Sequence, residues 1–382
     1  MKPVIPSCLL RIKYDGIVMK NYLKIALQEQ KNEAQTCQLS KFVIPAATCL
    51  SSIHEWPYQL CAAQSNGDKP SMEDSVDTHM ITMWDHAADI KQLANLLYVA
   101  IYLLGDLLFF HDTGSTFICM MHYQDNCIIG NLGDSRALLV RKKNNSYRTR
   151  RLNQTHRRGN LYEKKRITQE ATKWGSKNLD HTYVYRGLGG FNYCPLICYE
   201  PEISYFKLPK HGKNTILLCS DGVSDALNED EINAIFAHHE SVTPDLINRF
   251  AYHAFKNQQK IADNITSLLY TPQLTQTDIT LVCLADGVGD QTVAKLATTL
   301  LAKLINPKIL ATTEKFVSWR EQYNNAQGST TSNDIFDMKN FAKKVIAQCL
   351  DPNADINEIV QTWLAKKQQF CPQNTDAEQT IT

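Results

Sequence analysis

The residues Thr215 to Cys219 form a nearly continuous apolar run that ends abruptly in Ser220-Asp221-Gly222. A run this short and this apolar reads as a strand buried on both faces, which needs a covering layer on either side. Asp221 then stands at the mouth of the strand, and Gly222 lets the backbone turn sharply behind it. Two readings of that carboxylate are open. It caps the strand within a turn, or it helps to hold a hard cation at the edge of a rigid sheet.

Other segments share this character. Gly130-Asn131-Leu132-Gly133-Asp134-Ser135-Arg136-Ala137 lies between the apolar runs Cys127 to Ile129 and Ala137 to Val140, and Lys69-Pro70-Ser71-Met72-Glu73-Asp74 follows the strand-like stretch Tyr58 to Ala63. Thr113-Gly114-Ser115-Thr116 stands between them. Taken in order, these segments resemble the motifs Arg-x-x-Met-Glu-Asp, Ser-Gly-Ser-Thr, Asn-x-Gly-Asp-Ser-Arg and Ser-Asp-Gly of the metal-dependent Ser/Thr protein phosphatases (PPM, or type 2C). The resemblance covers roughly residues 60 to 285. It implies an α+β fold, an αββα sandwich of two antiparallel sheets flanked by helices, here with a C-terminal helical region.

Composition narrows the alternatives. A 43% hydrophobic content over 382 residues supports a full core. The formal net charge of +1 offers no electrostatic case for nucleic acid or an anionic membrane surface. Twelve scattered cysteines contain no Cys-x-x-Cys pair and read as reduced thiols in a cytoplasmic setting. The N-terminus shows no secretory signal. The apolar stretch Leu93 to Phe110 carries Asp106 and reads as a buried helix, not a membrane span.

Along the chain, residues 1–41 read as an N-terminal extension, 42–287 as a PPM-type phosphatase domain and 288–382 as a C-terminal helical region. A helix is expected over Asp85 to Phe110, and short strands over Phe117 to Met121, Cys127 to Gly130 and Ala137 to Val140. Asn228 and Thr243-Pro244 signal helix starts. The last strand is expected over Ile279 to Ala285. The basic segment Arg141 to Arg166 reads as a solvated face. Gly133-Asp134-Ser135-Arg136 reads as a structural hairpin with no catalytic role.

By resemblance, Asp74 and Asp221 match metal-ligating aspartates, with Glu73 beside them as an acceptor for metal-bound water. The resemblance implies two Mn²⁺ or Mg²⁺ ions that ionise a bridging water for in-line attack on phosphorus. The final ligand has two candidates. Asp263-Asn264-Ile265-Thr266 spells the family's Asp-Asn-x-Thr, but the spacing of Ile261, Ile265, Leu268 and Leu269 fits a helix. Asp278 opens the obvious strand and is preferred for its position. The family's Asp-Gly-His-Gly-Gly has as its nearest match Asp85-His86-Ala87-Ala88. Either Asp85 bridges the metals and His86 is the general acid, or Asp85 caps a helix. Lys69 takes the place of the family's phosphate-binding arginine, without the bidentate fork. Gly190 stands where the family has an aspartate.

The resemblance thus implies a metal-dependent phosphatase acting on phosphoserine and phosphothreonine in proteins. The alternative is a pseudophosphatase scaffold that binds a protein partner through the C-terminal helices or the basic segment. A further reading, a secreted bacterial effector acting in a host cell, rests on the extensions and on the Asn, Gln and Lys content alone.

Overall fold

The computed structural model describes residues 48–49, 59–65, 67, 69, 71–81, 89–144, 146–173, 184–190, 197–210, 212–239, 242–258, 263–272, 278–305 and 332–370. The strands are β1 (Thr48–Cys49), β2 (Gln59–Ser65), β3 (Ser75–Ile81), β4 (Gly114–Tyr123), β5 (Asn126–Leu132), β6 (Arg136–Lys143), β7 (Ser146–Arg151), β8 (Leu188–Gly189), β9 (Glu202–Lys207), β10 (Asn214–Cys219), β11 (Ile265–Thr271) and β12 (Ile279–Val288). The helices are α1 (Ile90–Leu108), α2 (Leu161–Lys173), α3 (Asp221–Ser224), α4 (Glu229–Ala237), α5 (Pro244–Asn257), α6 (Thr292–Leu304), α7 (Ser332–Leu350) and α8 (Ile356–Phe370).

Alternation along the strands sorts the core into layers. In β10, Ile216 and Leu218 enter one apolar cluster, while Leu217 and Cys219 enter another. The strands form two antiparallel sheets, ordered β1-β2-β11-β10-β6-β7 and β3-β12-β4-β5-β9, with β8 beside β4. Between them Leu139, Ile216 and Leu268 of the first sheet share a cluster with Ile118, Met120 and Val282 of the second. Helices α4 and α5 cover the outer face of the first sheet. Helices α1 and α6 cover that of the second, with α7 and α8 beyond them. This is the αββα sandwich expected from the sequence.

Local signals explain several elements. The Asn228 side chain accepts the Asp230 and Glu231 N–H groups at 2.9 and 3.0 Å and starts α4. Thr243 caps α5, with Pro244 in its first turn. Helix α1 is apolar over most of its surface, with Lys91, Gln92 and Asn95 exposed. Its length and composition would suffice to cross a membrane, but 72% of that stretch is buried inside the fold. Its buried Asp106 is met from α8 by the Lys367 ammonium and by Trp363 Nε1 at 2.9 Å, and by Tyr199 Oη at 3.3 Å. One apolar cluster unites α1, α6, α7 and α8 with the second sheet, so a continuous core crosses residue 287.

Two sequence expectations are corrected. Residues 265–271 are strand β11, paired with β2 and β10, not part of a helix. Its residues Ile265 to Tyr270 are all buried, so apolar spacing carries no strand signature there. Gly133-Asp134-Ser135 is no hairpin: β5 belongs to the second sheet and β6 to the first, and the segment crosses between them. The strand-like stretch at Phe42 to Ile44 and the helical stretch at Glu314 to Tyr323 lie outside the described residues.

Candidate metal centre

At one end of the sandwich four chain segments close on each other, and glycines permit the contact. A Cβ on Gly222 would lie 2.0 Å from the Asn264 carbonyl oxygen, so Asp221-Gly222 must pack on Asp263-Asn264. A Cβ on Gly287 would lie 2.2 Å from the Glu73 carbonyl oxygen, which locks Asp286-Gly287 against the Met-Glu-Asp segment. Asn264 completes the clamp. Its Oδ1 accepts the Glu73 N–H at 2.8 Å and its Nδ2 donates to the Ser71 carbonyl at 3.2 Å. The Thr113-Gly114-Ser115-Thr116 motif supports the same end, with Ser115 Oγ donating to the Asp286 carbonyl at 2.9 Å and Thr116 Oγ1 meeting Ser135 Oγ at 3.0 Å.

Carboxylate oxygens of Asp134, Asp221 and Asp286 lie within 4.8 Å of one another. Asp74 is fully buried beside them, close to Thr266 and Asp286, yet neither of its oxygens completes a hydrogen bond. Burial pushes its carboxyl up to about 7, with the charges of Asp221 and Asp263 adding to the shift and Thr266 and Asp286 opposing it. Burial also raises Asp221 and Asp286 well above the carboxylate range, reinforced by Asp286 and Asp134 for the first and by Asp74 and Asp134 for the second.

Three cations are built in, one of them Arg136, whose Nη2 lies 3.6 Å from Asp225 Oδ1. Lys69 Nζ bridges Asp263 Oδ1 at 2.6 Å and Glu73 Oε2 at 2.9 Å. Burial opposes its charge, but these two partners hold the ammonium above the ordinary lysine range. Arg157 reaches Asp134, Asp221 and Asp225. Against them stand Glu73, Asp74, Asp134, Asp221, Asp225, Asp263 and Asp286. Such a set of hard oxygens, several buried and one without any hydrogen bond, fits Mg²⁺ or Mn²⁺. The cluster opens into a cleft of about 890 Å³ lined by Lys69, Arg157, Asp221, Asp286 and Val288, among others.

The structure gathers Lys69, Glu73, Asp74 and Asp221 as the sequence suggests. It does not bring Asp278 to them. Asp278 precedes the opposite end of β12, eight residues from Asp286, or roughly 25 Å along an extended strand. Asp263 holds the place at the cluster instead, because the strand that follows it, β11, lies beside β10 and its Asp221 end. Asp85 and His86 lie outside the described residues. Asp286-Gly287 lies beside both Met-Glu-Asp and Thr-Gly-Ser-Thr, because β12 pairs with both β3 and β4. The missed signal was an apolar run ending in Asp-Gly, the same pattern as at Asp221. Asp134 was missed because its segment reads as a turn.

Residues 110–266 match the family model for protein phosphatase 2C. The segment includes Asp134, Asp221 and Asp263, while Asp74 and Asp286 fall on either side of it. The chain is 28% identical over 164 residues to the serine/threonine phosphatase stp of Listeria monocytogenes, covering 43% of this chain and 58% of that protein. It therefore spans a little over half the length of that curated relative. Similar solved structures include the S. agalactiae serine/threonine phosphatase, at 16% identity and TM-score 0.41, covering 56% of this chain and all of that one. Another is serine-threonine phosphatase 2C from Toxoplasma gondii, at 14% identity and TM-score 0.41, covering 56% of this chain and 94% of that one. Residues 110–266 are thus similar to the protein phosphatase 2C family, and among the described residues the Asp–Gly strand β12 comes last in sequence and sits second in its sheet.

Proposed function

We propose that the chain is a metal-dependent phosphatase that hydrolyses phosphoserine and phosphothreonine in proteins. The observation that carries this reading is Asp74, buried with two unpartnered oxygens beside Asp221 and Asp286, two aspartates that line an open cleft. A cluster of this charge held away from water calls for added cations. Asp74, Asp221, Asp263 and Asp286 are the residues that would hold two Mn²⁺ or Mg²⁺ ions. Bound there, the ions supply Lewis acidity toward water and phosphate oxygens.

The chain's own groups set the geometry. Asn264 and Gly287 fix the Glu73-Asp74 backbone, and the Gln291 side chain donates to the Asp74 carbonyl at 2.6 Å. Lys69 neutralises Glu73 and Asp263, a different task from the phosphate binding suggested by its sequence position. Val288 stands two residues after Asp286, where the motif has histidine, so this position offers no acid to a leaving alkoxide. The cleft mouth, with Val288 exposed, suits a phosphorylated side chain on a polypeptide.

The test is hydrolysis of p-nitrophenyl phosphate and of a phosphothreonine peptide, with and without Mn²⁺, for the wild type and for Asp221→Asn and Asp286→Asn. Mn²⁺-dependent turnover that both variants abolish establishes the activity. Mn²⁺ binding without turnover on either substrate would favour the scaffold reading instead.

A further inference from the structure

The guanidinium of Arg157 lies among three carboxylates. Its Nε donates to Asp134 Oδ2 at 2.6 Å, its Nη1 to both oxygens of Asp225 at 2.7 Å, and its Nη2 to Asp221 Oδ2 at 3.2 Å. All three nitrogens therefore end on carboxylate. Asp134 is 2% exposed, and its second oxygen is buried with no hydrogen-bond partner.

The arginine is anchored from behind. The His156 N–H donates to the Gly133 carbonyl at 2.8 Å and the Gly133 N–H to His156 Nδ1 at 3.0 Å, so Arg157 is fixed beside the turn that carries Asp134. Arg157 itself bridges to Val184. Arginine keeps its charge at any pH at which the fold survives, and its planar fork suits several carboxylates at once.

We propose that Arg157 is a resident cation of the centre. It occupies the corner formed by Asp134, Asp221 and Asp225, which would otherwise take a metal ion, and directs divalent ions to the side of Asp74, Asp263 and Asp286, with Asp221 shared. The proposal rests on the cation-centre reading above, and it concerns which oxygens the ions are left.

The experiment counts Mn²⁺ per chain by calorimetry and by electron paramagnetic resonance on metal-stripped protein. It compares the wild type with Arg157→Gln, Arg157→Lys and the double variant Arg157→Gln/Asp225→Asn. Arg157→Gln is expected to bind one more Mn²⁺ than the wild type. Arg157→Lys is expected to keep the wild-type number, and the double variant to bind the extra ion at least tenfold more weakly. A folded Arg157→Gln with the wild-type number or fewer overturns the proposal. If Arg157→Gln unfolds in chelator, recovery of its melting transition on adding Mn²⁺ supports the proposal, and failure to recover at any Mn²⁺ concentration overturns it. A wild type that binds no Mn²⁺ while Arg157→Gln binds one defeats the phosphatase reading but leaves Arg157 as the resident cation.

Discussion

Two buried acidic groups in this molecule have opposite surroundings. Asp106, inside helix α1, is met by Lys367, Trp363 and Tyr199, so a carboxylate in an apolar layer is neutralised and hydrogen-bonded by its own chain. Asp74, at the end of the sandwich, has further carboxylates as neighbours and no completed hydrogen bond. Burial alone therefore does not mark a functional aspartate. The distinction lies in whether the fold completes the charge itself or leaves it to a cation from solution.

Substitution should separate the two centres, with the largest effect at the open one. Asp286→Asn is expected to lower Mn²⁺-dependent turnover by about 10³-fold, since a metal ligand supports several kcal/mol of transition-state stabilisation. Steady-state kinetics on p-nitrophenyl phosphate check this. At the closed centre, Asp106→Ala leaves Lys367 buried without its partner and should cost about 3–5 kcal/mol in urea unfolding. The folded fraction should keep its Mn²⁺ affinity. A loss of Mn²⁺ binding in folded Asp106→Ala would break the comparison.

The open centre should also show in the pH dependence of the metal-free protein. The folded chain holds a proton on Asp74 up to about pH 7, whereas an unfolded aspartate releases it near 3.9. Between those values the folded state binds more protons, so stability falls as pH rises, by roughly 4 kcal/mol at most from this group. Thermal melts in chelator should therefore give a lower transition at pH 8 than at pH 5.5. Asp74→Asn should flatten that slope, and Mn²⁺ should reverse it. The smallest effect is expected at Asp278, where Asn should change turnover less than twofold and stability within about 0.5 kcal/mol. Asp263→Asn should cost at least tenfold in turnover, so a matched assay of the two variants tests the placement of the last ligand.

Much of this was legible in the chain. Short apolar runs ending in polar turns foretold doubly buried strands, the acidic end of one placed Asp221, and the resemblance of Met72-Glu73-Asp74 to a family motif placed Asp74. Three features were not legible. Strand β11 looked helical because a strand buried on both faces loses its alternation. The crossover at Asp134 looked like a hairpin because a local sequence does not say which sheet its second strand will join. Asp286 lies more than two hundred residues after Asp74, and only pairing of β12 with both β3 and β4 brings it to Asp74.

The sequence by itself determined the layers, the turn chemistry and the kind of ligand, because apolar runs, caps and carboxylates are local properties. Tertiary structure decided which carboxylates meet, which cations are already present in Lys69 and Arg157, and why Asp106 is silent while Asp74 is not. Those outcomes depend on strand pairing and burial across large sequence separations, where charge interactions grow as water is excluded.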